Sequence, residues 1–272
     1  MGRIAIGIEY DGRAYCGWQQ QEEAPSIQQT LERALARVAD TPVALVAAGR
    51  TDAGVHARMQ IAHFDTSAIR SARAWVLGSN TYLPPDISLR WACPVEDHFH
   101  ARFAAVSRTY RYLILNRSAR SALAAGRALC VHRPLDAERM QAAAQHLLGQ
   151  HDFSAFRAAA CQARSPVRRI ERLTVSRHGE WLTVEVSANA FLHHMVRNIV
   201  GLLTAVGVGD APPAQALVQL ESRQRSTGEA TAAAHGLYLW RIRYPSAFGL
   251  PEAEEGDSAI IGAQEGLGIP GG

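Results

Sequence analysis

The sequence predicts an α+β protein built as two related modules of antiparallel sheet and helix that face each other. Two observations carry this. Each half of the chain runs in the same order: a strand, a helix, then further strands that end at a polar cluster. The order repeats as a pattern and not as identity, which marks two related units that each bury a sheet face against helices. The second observation is bulk: the 272 residues are 47% hydrophobic and 19% charged, which is globular, with apolar residues enough for a core of useful size.

In the first half, residues 3–9 place Ile4, Ile6 and Ile8 on one face of a strand, and Tyr10-Asp11-Gly12 turns it. A Gln-rich loop carrying Trp18 follows. Ser26 is the expected helix cap, and Ile27, Leu31, Leu35 and Val38 form one helical face. Val43 to Ala48 and Met59 to Phe64 are expected strands. A helix is expected over Ser71 to Leu77, a loop over Asn80 to Asp86 with its paired prolines, a strand over Ile87 to Ala92 and a polar connector over Glu96 to Arg102.

The second half repeats the order. Thr109 to Leu115 reads as a strand and Ala137 to Leu148 as a helix with Met140, Ala144, Leu147 and Leu148 on one side. Phe153 to Arg169 is an Arg-studded loop. Ile170 to Arg177 and Trp181 to Ala188 form a hairpin around His178-Gly179, and Phe191 to Val206 reads as a helix. The domain expectation is therefore 1–104, 105–246 and a Gly- and Glu-rich tail over 247–272 that lacks periodicity and reads as disordered.

Charge excludes little, since the net value is only +3. All 28 basic residues are Arg, and Arg suits phosphate and stacked bases. The global bias has the simpler source of a GC-rich coding sequence, so only local Arg clusters bear on function. Cys16, Cys93, Cys130 and Cys161 are too dispersed for a zinc site, and a disulfide framework is not expected at this length. Residues 1–9 lead straight into a strand, so no signal peptide is expected, and no apolar run is long enough to span a bilayer. The expectation is a cytoplasmic protein with no membrane partner.

The densest polar stretch of the first half is Gly49-Arg50-Thr51-Asp52-Ala53-Gly54-Val55-His56-Ala57. Its glycines permit a sharp turn close to a ligand. A carboxylate beside a guanidinium favours the charged form, which suits a nucleophile better than a general acid. Taken alone, the same residues fit an Asx-type turn between two strands.

The whole stretch GRTDAGVHA resembles the active-site motif of the TruA family of tRNA pseudouridine synthases. Four further segments support the resemblance, in the family's order: Tyr10-Asp11-Gly12 with Gly17-Trp18-Gln19, Phe99-His100-Ala101-Arg102-Phe103, Arg108-Thr109-Tyr110-Arg111-Tyr112, and Ala190 to Asn198 (AFLHHMVRN). The resemblance covers roughly residues 3–244. It implies two ferredoxin-like modules with the active cleft between them. It implies isomerisation of uridine to pseudouridine at positions 38, 39 and 40 of tRNA, on the 3′ side of the anticodon stem-loop, by a homodimer. That reaction cuts the N-glycosidic bond, turns the uracil and rejoins it through carbon. No redox change occurs, so no cofactor is implied.

Residue by residue, the resemblance makes Asp52 the catalytic carboxylate and Arg197 its partner. It sets Tyr110 against the target base and Arg50 where it helps hold that base out of its stack. It implies RNA contacts at Phe99, His100, Ala101, Arg102 and Phe103 and, more loosely, at Ala160, Cys161, Gln162, Ala163 and Arg164. Each has a plainer reading: a helix-surface Arg197, a packed Tyr110, a solvated Arg50 and a solvated basic loop. His193 and His194 invite a metal reading, but adjacent histidines on a helix point apart and no carboxylate stands at ligand spacing, so no metal is expected. His56 and His63 read as structural. Two rival functions remain at this point: a non-catalytic RNA-binding protein or tRNA-folding chaperone, and a metal-dependent hydrolase using the histidines.

Overall fold

The computed structural model describes residues 1–22, 24–224 and 230–251. The first half lays down β1 (Gly2–Tyr10), α1 (Ile27–Ala39), β2 (Val46–Ala47), β3 (His56–Thr66), α2 (Ala72–Tyr82) and β4 (Ile87–Val95). The second lays down β5 (Ser107–Asn116), β6 (Leu129–Val131), α3 (Ala137–Gln145), β7 (Gly149–Asp152), β8 (Val167–His178), β9 (Trp181–Ala188), α4 (Met195–Gly207), α5 (Gln215–Ser222) and β10 (Leu237–Arg243).

Local chemistry explains the helix starts. The Ser26 hydroxyl accepts from the Gln29 amide, satisfying one of the free donors at the head of α1, and Ile27, Leu31 and Leu35 then fall on its buried face. Ser71 and Asp136 do the same for Ala74 at α2 and Arg139 at α3. In α2, Trp75 is buried edge-on against Phe64, with ring centroids 5.1 Å apart. Nine residues of α4 are buried, so it is a core helix with an apolar surface wider than one stripe.

The strands join into a single sheet of order β4-β1-β3-β10-β5-β9-β8-β7, with β2 added on β3 and β6 on β5. The α+β class and the mainly antiparallel pairing agree with the sequence. The two halves, however, share one sheet: β10 runs parallel to β3 through Tyr238↔His56 and Leu239↔Ala57, and antiparallel to β5. The last of the described strands is therefore the seam between the halves. It is absent from the sequence reading because its first four residues, Leu237 to Trp240, are all buried, so the apolar/polar alternation that marks a half-exposed strand is missing.

Other boundaries also move. Only Val46–Ala47 of the Val43 to Ala48 stretch pairs as strand, β3 runs longer than expected, and α2 continues to Tyr82, stopping just before the prolines. α3 ends at Gln145, three residues early. Residues 191–194 precede α4 as an irregular turn. Short strands β6 and β7 and helix α5 carried too little periodicity to be read.

Two large hydrophobic clusters lie along the sheet, beside a small third one of Leu115, Ala124 and Ala128. One gathers Ile4 to Ala101 and borrows Leu239 and Ile242 from β10; the other gathers Tyr112 to Ala232 and borrows Val55 from the Asp52 loop. Ser246–Phe248 form a 3-10 turn whose Phe248 packs on Phe99 at 5.1 Å between centroids. The expected disordered tail lies, from residue 252 onward, outside the described residues.

Candidate active site

The loop between β2 and β3 is held rigid from behind. The Trp18 amide donates to the Thr51 carbonyl at 3.0 Å, and the Val55 amide closes a turn on the Asp52 carbonyl at 3.1 Å. The Tyr10 and Thr51 hydroxyls share a 2.7 Å hydrogen bond in the buried floor. The Gln60 amide donates to the Gly49 carbonyl at 2.8 Å. Behind the loop, His56 accepts at Nδ1 from the Gly12 amide and turns Nε2 toward the Gly126 and His235 carbonyls. Burial holds it neutral, with its pKa below the usual histidine value despite nearby Asp11. His63 likewise is a structural acceptor, taking the Ala101 amide at Nδ1.

This scaffold delivers Asp52 to the wall of a cleft of about 830 Å³, within the range of about 300–1,000 Å³ that ligand sites occupy. Arg197, the third residue of α4, reaches in from the other half of the chain. Its Nη1 donates to Asp52 Oδ2 at 3.3 Å while its Nε donates to the Ala232 carbonyl at 2.8 Å. The side chains of Asp52 and Arg197 are 26% and 15% exposed, so the pair is shielded enough to be strong yet open to a ligand. The α4 N-terminus adds its own partial positive charge near the carboxylate.

Tyr110, on β5, lines the same cleft, its ring edge-on to Phe191 at 5.1 Å. Burial first, then Tyr10 and Asp52, push its phenol pKa above the usual value, so the hydroxyl stays protonated. Arg50 is exposed and lines the cleft.

Of the other expected contacts, Arg102 and Ala160 to Ala163 line the cleft. Phe99 and Ala101 have no exposed surface: they are the buried root of their loop, and their side chains are unavailable to RNA. Phe103 is 76% exposed, stacked on His100 and covered on one side by the Arg102 guanidinium. Arg164 is exposed beyond the lining residues.

Three further features stand out; the sequence marks Arg168 only as part of its Arg-studded loop and gives Arg108 no role of its own. Arg108, from the RTYRY stretch, spans the cleft floor, donating to the carbonyls of Ala48, Arg102, Ala105 and Asn189. Arg168 lines the cleft with its Nε buried and unbonded. The third is a correction. His193 and His194 both face Asp52, with Nε2 of His193 3.2 Å from Oδ1 and Nε2 of His194 3.4 Å from Oδ2. The expected divergence assumed a regular helix. His193 lies before α4, and His194 sits at its cap with φ +63, a backbone turn that brings the two rings to 4.1 Å between centroids. Doubled histidine was the signal, and its backbone was the unreadable part.

A lone carboxylate, braced by a guanidinium from the opposite half of the fold and set in an arginine-lined cleft, is an arrangement suited to an enzyme that handles an anionic ligand. A family model described as tRNA pseudouridine synthase matches residues 6–104 and 143–245. The chain is 52% identical over 249 residues to the tRNA pseudouridine synthase A of Nitrosococcus oceani, covering 92% of this chain and 96% of that one. It is 55% identical over 248 residues to the tRNA pseudouridine synthase A of Methylococcus capsulatus, covering 91% and 92%. A solved structure titled as a Cbf5-Nop10-Gar1 complex overlaps at a TM-score of 0.36 and 9% identity, over 74% of this chain and 45% of the other, too slight a likeness to bear on the site. The chain belongs to the tRNA pseudouridine synthase family, and is an isomerase.

Proposed function

We propose that the protein converts uridine to pseudouridine on the 3′ side of the tRNA anticodon stem-loop, with Asp52 as the nucleophile, and that it does so as a homodimer in the cytoplasm. The observation that carries this reading is the Asp52–Arg197 pair, built from residues 145 positions apart and turned into one cleft. A binding protein needs no such carboxylate. The cleft wall fits the substrate: Arg50, Arg102 and Arg168 supply positive charge for phosphates, and Tyr110 supplies a flat ring for a base.

In this reading the target nucleotide is extruded from its stack, at a cost of a few kcal/mol. Arg50 offsets part of that cost by filling the vacated space. The C1′–N1 bond breaks, the uracil turns, and C5 bonds to C1′. The hydrogen on C5 leaves as a proton to solvent, its electron pair restores the ring double bond, and N1, which kept the pair of the broken bond, takes up a proton in its place. Arg197 keeps the carboxylate aimed throughout, and Tyr110, held protonated, confines the base.

The test is release of tritium from C5-labelled unmodified tRNA. Wild type should release it and Asp52→Ala should not, while both bind tRNA. Release by the variant would remove Asp52 from the nucleophile's role. No release by either protein across a full tRNA pool would leave RNA binding alone as the function. Among the described residues no helix is long and apolar enough to cross a membrane.

A further inference from the structure

Asp52, His193 and His194 form, among the described residues, the one trio of His, Cys, Asp or Glu whose donor atoms all lie within 4.8 Å of one another. We infer that these three residues are an inhibitory site for a divalent transition metal of the zinc type, which engages the carboxylate and silences it.

The argument begins with spacing. Zinc bonds imidazole nitrogen and carboxylate oxygen at about 2.0–2.2 Å, so tetrahedral neighbours sit roughly 3.4 Å apart. The nitrogen-to-oxygen separations here are 3.2 and 3.4 Å. Each nitrogen already stands at that separation from one carboxylate oxygen, and the three donor groups lie within 4.8 Å of one another, so small side-chain rotations gather them on one ion. The donor chemistry selects the ion. Two imidazole nitrogens and one carboxylate oxygen suit zinc, cobalt, nickel or copper, whereas magnesium and calcium prefer oxygen alone.

Access is open. The side chains of His193 and His194 are 41% and 26% exposed, and both line the cleft, leaving a fourth position for water. Affinity is held down by charge. Arg197 contacts the same carboxylate at 3.3 Å, and a second cation must share Oδ2 with it or displace it. A dissociable inhibitor fits that balance better than a resident cofactor. Bound metal would occupy the carboxylate's lone pairs and stand where the target nucleotide must enter, so activity should fall as the site fills and return with chelator.

The test uses the full chain and the metal alone, and so does not depend on Asp52 being the nucleophile. Free thiols are alkylated first, because four cysteines would compete for zinc. Isothermal titration with Zn2+ should then give one equivalent of binding, and Mg2+ should give none. Co2+ should give the absorption of a four-coordinate nitrogen and oxygen site. Asp52→Asn, His193→Gln and His194→Gln should each weaken Zn2+ binding at least tenfold, with melting temperature and tRNA binding as controls of folding. Absence of Zn2+ binding to the alkylated wild type would overturn the inference. So would binding that all three variants retain, since the metal would then sit elsewhere. Neither result would touch the tritium assay of the proposed function.

Discussion

Replacing Gly17 by Ala should disable catalysis far more than it destabilises the fold. Gly17 has φ +93, and a Cβ built on it would lie 2.6 Å from the Thr51 carbonyl oxygen, 3.0 Å from the Asp52 carbonyl carbon and 3.1 Å from the Ala53 amide nitrogen. All three are backbone atoms of the Asp52 loop. Ordinary contact begins at 3.4 Å, so the Thr51 oxygen must retreat by roughly 0.8 Å, the difference from 2.6 Å. It cannot do so freely, because the Trp18 amide and the Tyr10 hydroxyl both hold Thr51. The strain therefore passes to Asp52. A displacement near 1 Å at a reacting group costs on the order of 10²-fold in rate. The left-handed backbone itself costs an L-residue about 1–2 kcal/mol, which at about 2–4 °C per kcal/mol lowers the melting temperature by only a few degrees.

Gly209→Ala is the matched control. Its φ is +87, but nothing lies within 4 Å of the added Cβ, and it lies beyond the C-terminal end of α4. It should lose only the left-handed share of that stability and keep its activity. The assay pairs single-turnover tritium release with urea unfolding on the same preparations. A folded Gly17→Ala protein with rates within about threefold of wild type would refute the claim that this close approach aims Asp52, because a ~1 Å shift is worth far more.

Arg108→Lys should cost stability, by about 1–3 kcal/mol in urea unfolding, because an ammonium cannot reach four carbonyls spread over Ala48, Arg102, Ala105 and Asn189. Tyr110→Leu should lower kcat/KM by about 5- to 150-fold if a base stacks there, the equivalent of roughly 1–3 kcal/mol; Tyr110→Phe should lose little of that. Burial first, then Arg3 and His100, depress the His63 pKa from 6.5 to about 4. Above pH 6.5 both folded and unfolded His63 are neutral and the group adds no pH dependence. As pH falls from 6.5 toward 4 the unfolded chain takes the proton first, so stability falls across that window. His63→Gln should flatten this loss, measured as the urea midpoint at pH 7 against pH 5; an unchanged slope would mean another group drives it.

What the sequence disclosed depended on whether a residue's environment is written locally. The caps at Ser26 and Ser71 and the buried face of α1 follow from residues within one or two turns, and spacing located them. β10 depends on partners more than a hundred positions away on both sides, and its double burial erases its own pattern. Asp52 read alone fits a plain Gly-rich turn; the resemblance of the whole nonapeptide singles it out and pairs it with Arg197, and the tertiary structure brings the two side chains together. Phe99 shows the opposite case: the motif assigns RNA contact to a side chain that the fold buries as the root of its loop. His193 and His194 show why the limit is physical. Their divergence on a helix is sound geometry, and a single positive φ at His194, a conformation histidine adopts only occasionally, reverses it. That one backbone angle turns two otherwise ordinary histidines into direct neighbours of the Asp52 carboxylate. Replacing His194 by a residue that extends α4 backward should therefore alter the surroundings of Asp52 even though the sequence around it stays helical in pattern.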